Sequence, residues 1–229
     1  MSSALPVVEI FGPTLQGEGR VIGLKTMFVR LGGCDWSCSW CDSPFTWRPG
    51  ALAPLRRMEP AEIAAALQGL DPCPAVTLSG GNPALHDCGP LLAALHGCGY
   101  RVHVETQGSR APAWLSAADS VTVSPKAPSS GMAPDWDGLS ATLAVASAPD
   151  LKVVVFDEAD LAYARLVAER HPHVPLTLQV GNRVGADDEG SLLRRLRWLS
   201  DRVIHDPGLT AVRVLPQLHV LLWGNRRGV

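Results

Sequence analysis

Hydrophobic positions along the chain follow two rhythms. Seven short runs rich in β-branched residues have the length and composition of strands: TMFVRL (26–31), AVTLS (75–79), RVHVET (101–106), SVTVS (120–124), LKVVVF (151–156), PLTLQV (175–180) and AVRVL (211–215). Between them apolar residues recur at helical spacing. Ile63, Leu67 and Leu70 follow Pro60, which marks a helix start, and Leu192, Leu196, Leu199 and Val203 carry the same rhythm through a longer helix. Strands alternating with helices predict an α/β fold, a mostly parallel sheet with helices outside it. A closed eight-fold β/α barrel takes about 250 residues. A chain of 229 residues with about six or seven units is therefore expected to form an incomplete, open TIM-type barrel. The 19 prolines and 22 glycines fall between elements and form no linker, and no repeat is visible, so one domain over residues 1–229 is expected.

The polar and glycine-rich motifs are not scattered. RLGGC (30–34), LSGGNP (78–83), VETQG (104–108), TVSPK (122–126), LQVGN (178–182) and VLPQLH (214–219) each follow directly on an expected strand. In parallel α/β folds the C-terminal strand ends form the active-site rim. Any one motif reads as ordinary loop punctuation; together they point to one assembled site.

Composition narrows the class. With 46% hydrophobic and 18% charged residues, the chain suits a well-cored globular enzyme rather than a disordered or coiled-coil protein. A chain of this length buries roughly 70% of its unfolded surface. The net charge of −2, without any long Lys/Arg run, argues against nucleic acid as a direct partner. No apolar run approaches the roughly 18 residues that span a bilayer, so no membrane role is expected. The start MSSALPVVEIFGP lacks a signal-peptide layout, and a reducing cytoplasm is expected, where clustered cysteines are more often metal ligands than disulfides.

Cys34, Cys38 and Cys41 form such a cluster, spaced Cys-x3-Cys-x2-Cys. That spacing suits the thiolate cradle of a [4Fe–4S] cluster, and three thiolates leave one iron open for a substrate or cofactor. A Cys3His zinc site is the competing reading; no histidine lies between Phe28 and Pro83, so its fourth ligand would have to come from far along the chain. A non-catalytic iron–sulfur electron carrier is a further alternative. Cys73, Cys88 and Cys98 lie near expected helix boundaries without paired spacing and read as structural.

The triplet, with Trp40 just before its last cysteine, resembles the signature of radical S-adenosylmethionine (SAM) enzymes. That resemblance implies a [4Fe–4S] cluster whose open iron is chelated by the amino and carboxylate groups of SAM. An electron from the cluster then cleaves the sulfur–C5′ bond, and the resulting 5′-deoxyadenosyl radical abstracts a substrate hydrogen. LQGEG (15–19), FVRLGGC, CDS (41–43), LSGGNP, VETQG, SPK (124–126) and the tail RVLPQLHVLLWGNRRGV sharpen it to the 7-carboxy-7-deazaguanine synthase family, in order along most of the chain. A glycyl-radical activase, the rival within the superfamily, would need a protein partner surface and leaves LQGEG without an obvious job. The family converts 6-carboxy-5,6,7,8-tetrahydropterin to 7-carboxy-7-deazaguanine with loss of ammonia, a step toward deazapurines such as queuosine. It also implies Mg2+, an electron donor such as flavodoxin or ferredoxin, and a homodimer.

The resemblance carries roles onto particular residues and implies no catalytic side chain beyond the cofactors. For the pterin it implies Leu15, Gln16 and Gly17, largely through backbone, with Glu18 beside the guanidine-like edge, Ser79, and His219 in a tail that closes over the substrate. Arg30 offers a planar fork to the heterocycle or its carboxylate. For SAM it implies Trp40 near the adenine, Cys41 and Asp42, the pair Gly80–Gly81 with Asn82, Glu105 at a ribose hydroxyl, Ser124, Pro125 and Lys126, and Gln179. Most relatives read GGEP where this chain reads GGNP; Asn82 keeps an acceptor and loses the charge. Ser43 stands where the family places a hydroxyl ligand to Mg2+, usually threonine, beside the substrate carboxylate.

Overall fold

The computed structural model describes residues 4–185 and 188–229; Met1, Ser2 and Ser3, the first residues of the segment read for a signal layout, lie outside them. All seven expected strands are present, as β2 (Lys25–Leu31), β4 (Ala75–Gly80), β5 (Arg101–Thr106), β6 (Ser120–Val123), β7 (Pro149–Val155), β8 (Leu176–Val180) and β9 (Val212–Leu215). They lie parallel in that order. Two further strands, β1 (Leu5–Leu15) and β3 (Arg56–Met58), extend the β2 edge antiparallel, giving nine strands in the order β3-β1-β2-β4-β5-β6-β7-β8-β9. The sheet does not close: β3 and β9 are its two edges.

The count thus exceeds the expected six or seven, for local reasons. In β1 the register against β2 shifts between Phe11 and Thr14, around Gly12 and Pro13, so its apolar residues do not alternate cleanly. Strand β3 is three residues, RRM, with two of them exposed, and it exists only because β1 supplies its ladder.

Among the described residues six α-helices accompany the strands: α1 (Pro60–Gln68), α2 (Gly89–Gly97), α3 (Trp136–Val145), α4 (Glu158–Arg170), α5 (Glu189–Ile204) and α6 (Leu218–Trp223). Their starts are written in the sequence. Pro60 opens α1 behind a reciprocal Glu59–Glu62 capping box, and Asp157 caps α4 by accepting from the amides of Ala159 and Asp160.

Strand register gives the sheet two chemically different faces. Met27, Val29 and Leu31, then Val76 and Leu78, Val102 and Val104, Val121 and Val123, and Leu151, Val153 and Val155 form one buried aliphatic face. They share a core with helix residues such as Ile63, Leu91, Leu95, Leu161 and Leu199. This face carries the hydrophobic stabilisation, at about 1.5–3 kcal/mol for each fully buried large side chain. The other face is largely polar. Arg30 lies in register with Ser79, His103 with Ser120, Glu105 with Thr122 and Thr122 with Asp150. Bulky branched side chains usually fill a barrel interior; here Thr77 bonds Thr26 (3.0 Å), His103 bonds Ser120 (2.7 Å) and Thr122 donates to Asp150 (3.0 Å).

Asp150 is buried, and its Oδ2 has no hydrogen-bond partner among the described residues. Burial pushes its carboxyl up to about 6, against the Thr122 hydrogen bond and the Lys152 charge. The folded form therefore holds this proton more tightly than the unfolded chain does. The resulting stability is fully present below pH 3.8 and is lost as pH rises through about 6. Asp150→Asn removes that loss. Relative to the native protein, the variant should gain up to about 3 kcal/mol between pH 4 and 7.5, read as a melting-temperature difference that widens across this range. A pH-independent difference would show that Asp150 titrates as it does in the unfolded chain.

Candidate active site

The C-terminal ends of the parallel strands surround a cavity of about 230 Å³. The loop after β2 brings in the three clustered thiols. Cys34, Cys38 and Cys41 all border the cavity, although they come from a segment with almost no regular structure. The loop is held from several sides. A Cβ on Gly80 would lie 2.2 Å from the Leu31 carbonyl oxygen, and one on Gly81 would lie 2.0 Å from that of Gly33, so only glycine lets β4 pass under the start of the loop. The amides of Gly81 and Asn82 donate to those same two carbonyls, at 3.0 and 2.8 Å. On the far side, Trp40 Nε1 donates to Ser129 Oγ (2.9 Å), the Ser39 amide donates to the Ser130 carbonyl (2.9 Å), and the Trp40 ring packs on Phe156.

Burial is the main cause that raises all three thiols, Cys38 to about 11; Lys126 opposes the shift, while neighbouring cysteines add to it at Cys34 and Cys38 and Asp42 adds to it at Cys41. Each thiol therefore holds its proton at neutral pH until a metal displaces it. Among the described residues no three His, Cys, Asp or Glu side chains gather around a single metal ion. The thiols border one shared space instead, an arrangement that suits a cluster spread over several irons better than a lone zinc. Cys73 and Cys88 are buried away from the cavity and Cys98 is exposed.

Opposite the thiols lies a charged network. Lys152, at the middle of β7, pairs with Glu18 and lies 3.9 Å from Glu105. Gln16 donates to Glu105 (3.2 Å), and Gln217 donates to Glu18 and reaches Asp42 (3.4 Å). Burial works against the Glu18 charge, yet Lys152 and His219 outweigh it and hold the carboxyl below the usual carboxylate range. Lys152 is correspondingly raised by Glu18 and Glu105 in spite of its burial.

At the β1–β2 side, Arg30 donates to Ser43 Oγ (3.1 Å), and its Nε lies 3.1 Å from Glu9. The second Glu9 oxygen accepts from Arg227 of the tail (2.8 Å), whose guanidinium lies 3.7 Å above the Phe45 ring. Ser43 donates to Asp42 (2.9 Å). The tail is pinned again by the Leu218 amide on the Gly17 carbonyl (2.9 Å) and by Asn182 on Asn225 (2.7 Å). His219 sits so close to Gly17 that a Cβ there would lie 2.0 Å from its Nδ1.

The structure thus gathers Leu15, Gln16, Gly17, Glu18, Arg30 and Ser43 around one space with Trp40, Asp42, Ser79, Gly80 and Gly81. Glu105, Ser124, Lys126 and His219 complete the set. Lys126 is lowered by burial, donates to Ser124 and lies 6.0 Å from the Trp40 ring. Pro125, Asn82 and Gln179 do not border the cavity. The Asn82 side chain is committed: Nδ2 donates to Asp35 and Ser109, while Oδ1 accepts from Thr106 and Ala84. Gln179 is fully buried, and neither amide atom has a hydrogen-bond partner among the described residues. Sequence reading missed Lys152, Gln217 and Arg227. The signal for Lys152 was a lone charge inside the aliphatic run LKVVVF.

A radical SAM superfamily model matches residues 28–131, the span from the cysteine loop to the segment that staples it. Over nearly their whole lengths, 7-carboxy-7-deazaguanine synthases of Bacillus cereus and Bacillus subtilis are each 47% identical to the chain. The alignments cover 99% and 100% of it and 100% of both relatives. The chain belongs to the 7-carboxy-7-deazaguanine synthase family. It is accordingly a radical SAM enzyme, a class built on a [4Fe–4S] cluster and SAM. The crystal structure of QueE from Escherichia coli shares the fold, with a TM-score of 0.66 at 24% identity over 94% of this chain and 95% of that one. Streptococcus suis SuiB, solved bound to S-adenosylmethionine, shares it at a TM-score of 0.58 and 15% identity, over 82% of this chain and 49% of its own.

The Gly17–His219 contact is directly testable. Gly17→Ala drives the imidazole and the start of α6 off the turn, an overpacking that typically costs about 1–3 kcal/mol. Thermal unfolding should show that loss, and Gly17→Ala/His219→Ala should recover at least half of it. A double variant no more stable than Gly17→Ala would mean that the clash is with backbone alone.

Proposed function

We propose that the enzyme converts 6-carboxy-5,6,7,8-tetrahydropterin to 7-carboxy-7-deazaguanine with loss of ammonia, as the names of its relatives suggest. One observation carries this reading: the three thiols, the LQGE turn after β1 and the tail after β9 converge on one cavity at the strand ends. When bound, the cluster and SAM supply the electron and the hydrogen-abstracting chemistry. Cys34, Cys38 and Cys41 would be the protein ligands of the cluster, with no fourth protein ligand. Trp40, Asp42, the Gly80–Gly81 edge, Glu105, Ser124 and Lys126 would hold SAM. In this arrangement Asn82 acts on SAM only through the loop that it fixes, and Gln179 and Pro125 line no open surface.

The protein's own groups hold the pterin. Glu18, kept ionised by Lys152, accepts from the N–H donors of the guanidine-like edge. Leu15, Gln16 and Gly17 present backbone to the ring, and Ser79 and His219 flank it. Arg30, whose Nε faces Glu9 and whose Nη1 donates to Ser43, keeps its Nη2 for the substrate carboxylate. The tail, latched by Arg227 on Glu9, excludes water. Ser43, whose Oγ accepts from Arg30, would supply a hydroxyl ligand to Mg2+ beside that carboxylate, with water at the remaining positions. We further infer a single-domain protein acting in the cytoplasm as a homodimer, reduced by a flavodoxin or ferredoxin.

The decisive assay is anaerobic incubation of reconstituted enzyme with the carboxytetrahydropterin, SAM and a strong reductant, with mass spectrometry of the products. Formation of 5′-deoxyadenosine without any deazaguanine would refute the substrate assignment. Alanine at Cys34, Cys38 or Cys41 should abolish iron incorporation and SAM cleavage, whereas alanine at Cys73, Cys88 or Cys98 should leave the iron count unchanged. An essential role for any of the latter three in iron binding would overturn the open-iron assignment.

The Arg30–Ser43 contact yields a second test. Ser43→Ala should lower turnover and flatten its Mg2+ dependence while iron content and SAM binding stay near native, and Ser43→Thr should remain active. Arg30→Lys should raise the pterin KM far more than it weakens SAM, because a point charge cannot reproduce a fork. An unaltered Mg2+ response in Ser43→Ala would reduce that hydroxyl to a loop contact.

A further inference from the structure

Lys152 is the one buried cation of the cavity assigned no role by the family motifs quoted above, and its surroundings are unusual. Its side chain is 8% exposed, and its ammonium faces two carboxylates from different parts of the chain: Glu18 in the turn after β1 and Glu105 at the end of β5. Among the described residues these are its only ion-pair partners. Each carboxylate carries a second link. Glu105 accepts from Gln16, while Glu18 accepts from Gln217, which in turn reaches Asp42 next to the last clustered cysteine. The aliphatic core lies on the opposite face of β7, in Leu151, Val153 and Val155, so the fold does not need an ammonium here.

We propose that Lys152 is a positioning residue that couples the pterin half of the cavity to the SAM half. The proposal rests on the reading above, in which Glu18 faces the pterin and Glu105 the ribose of SAM. A buried ammonium cannot be left unpaired without a cost of several kcal/mol. When the pterin's N–H donors draw on Glu18, Lys152 leans its charge further onto Glu105 and fixes that carboxylate for the ribose. When SAM engages Glu105 first, Lys152 holds Glu18 in place for the pterin. Each ligand thereby prepares the other's site, and the linkage is reciprocal. In chemical terms, the enzyme binds SAM more tightly when a substrate is in place to receive the abstraction.

Equilibrium binding without reductant tests this in the reconstituted, oxidised enzyme. SAM affinity is measured by calorimetry with and without saturating 6-carboxypterin, the aromatic and unreactive relative of the substrate. In the native enzyme the pterin should tighten SAM about five-fold or more; in Lys152→Gln the factor should fall below about two, with Lys152→Arg between them. Because Lys152→Gln leaves two carboxylates facing each other, Lys152→Gln/Glu105→Gln serves as the folded control and should also show no coupling. Under turnover, Lys152→Gln should release more 5′-deoxyadenosine per product formed than the native enzyme. If the native protein does not bind 6-carboxypterin, the functional reading falls and this proposal with it. If the native coupling persists in Lys152→Gln, or the native enzyme binds both ligands without coupling, the proposal alone is overturned.

Discussion

A charge taken out of water has to be answered by another, and in this enzyme that requirement falls on Lys152. Its ammonium can be buried only because Glu18 and Glu105 reach it, and they do so from opposite ends of the first half of the chain. Satisfying one cation therefore fixes the turn after β1, the end of β5 and, through Gln217, the tail that follows β9. What aligns them is a short set of charge-assisted hydrogen bonds in a space of low dielectric, where such bonds are strong and their loss is expensive.

The cysteine loop is held by a different logic. It has almost no secondary structure, so its position is set by close backbone approach and a few specific staples. Two glycines in β4 clear the way for it, and Asn82 ties Asp35 to Ser109 and Thr106. Asp35 also accepts from Gln107 (2.6 Å) and pairs with Arg110 (3.6 Å), so this carboxylate of the loop is held from the side. A glutamate at position 82 would bring a second negative charge against Asp35, whereas the asparagine amide donates to it. The departure from the family's usual GGEP is thus consistent within this chain. The residue serves the loop's geometry rather than the open surface of the cavity.

How much of this could be read from the sequence follows from the same physics. The seven parallel strands were legible because their outward residues must be aliphatic to meet the helices, and a run such as LKVVVF announces itself. Strand β1 was not legible, since its pairing slips around Gly12 and Pro13, and the RRM of β3 has no apolar face at all. The site was legible where motifs sit at strand ends: the thiols, LQGE, SPK and His219. It was illegible where a role depends on partners far away in sequence. Lys152 looked like a polar interruption of a strand because Glu18, its partner, lies 134 residues earlier. Asn82 looked like a ligand-facing group because three of its four partners come from two distant segments, Asp35 in the cysteine loop and Thr106 and Ser109 at or just after the end of β5.

The division of the sheet into an aliphatic outer face and a polar inner face has a consequence for how such a protein can change over evolutionary time. Folding is paid for on the outside, where valines and leucines meet the helices, so inward positions are released from that duty. Lineages are then free to exchange an inward threonine, arginine or lysine without dismantling the scaffold, provided that buried charges are exchanged in matched sets. SuiB shares this fold at 15% identity, so the same backbone accommodates a very different set of side chains.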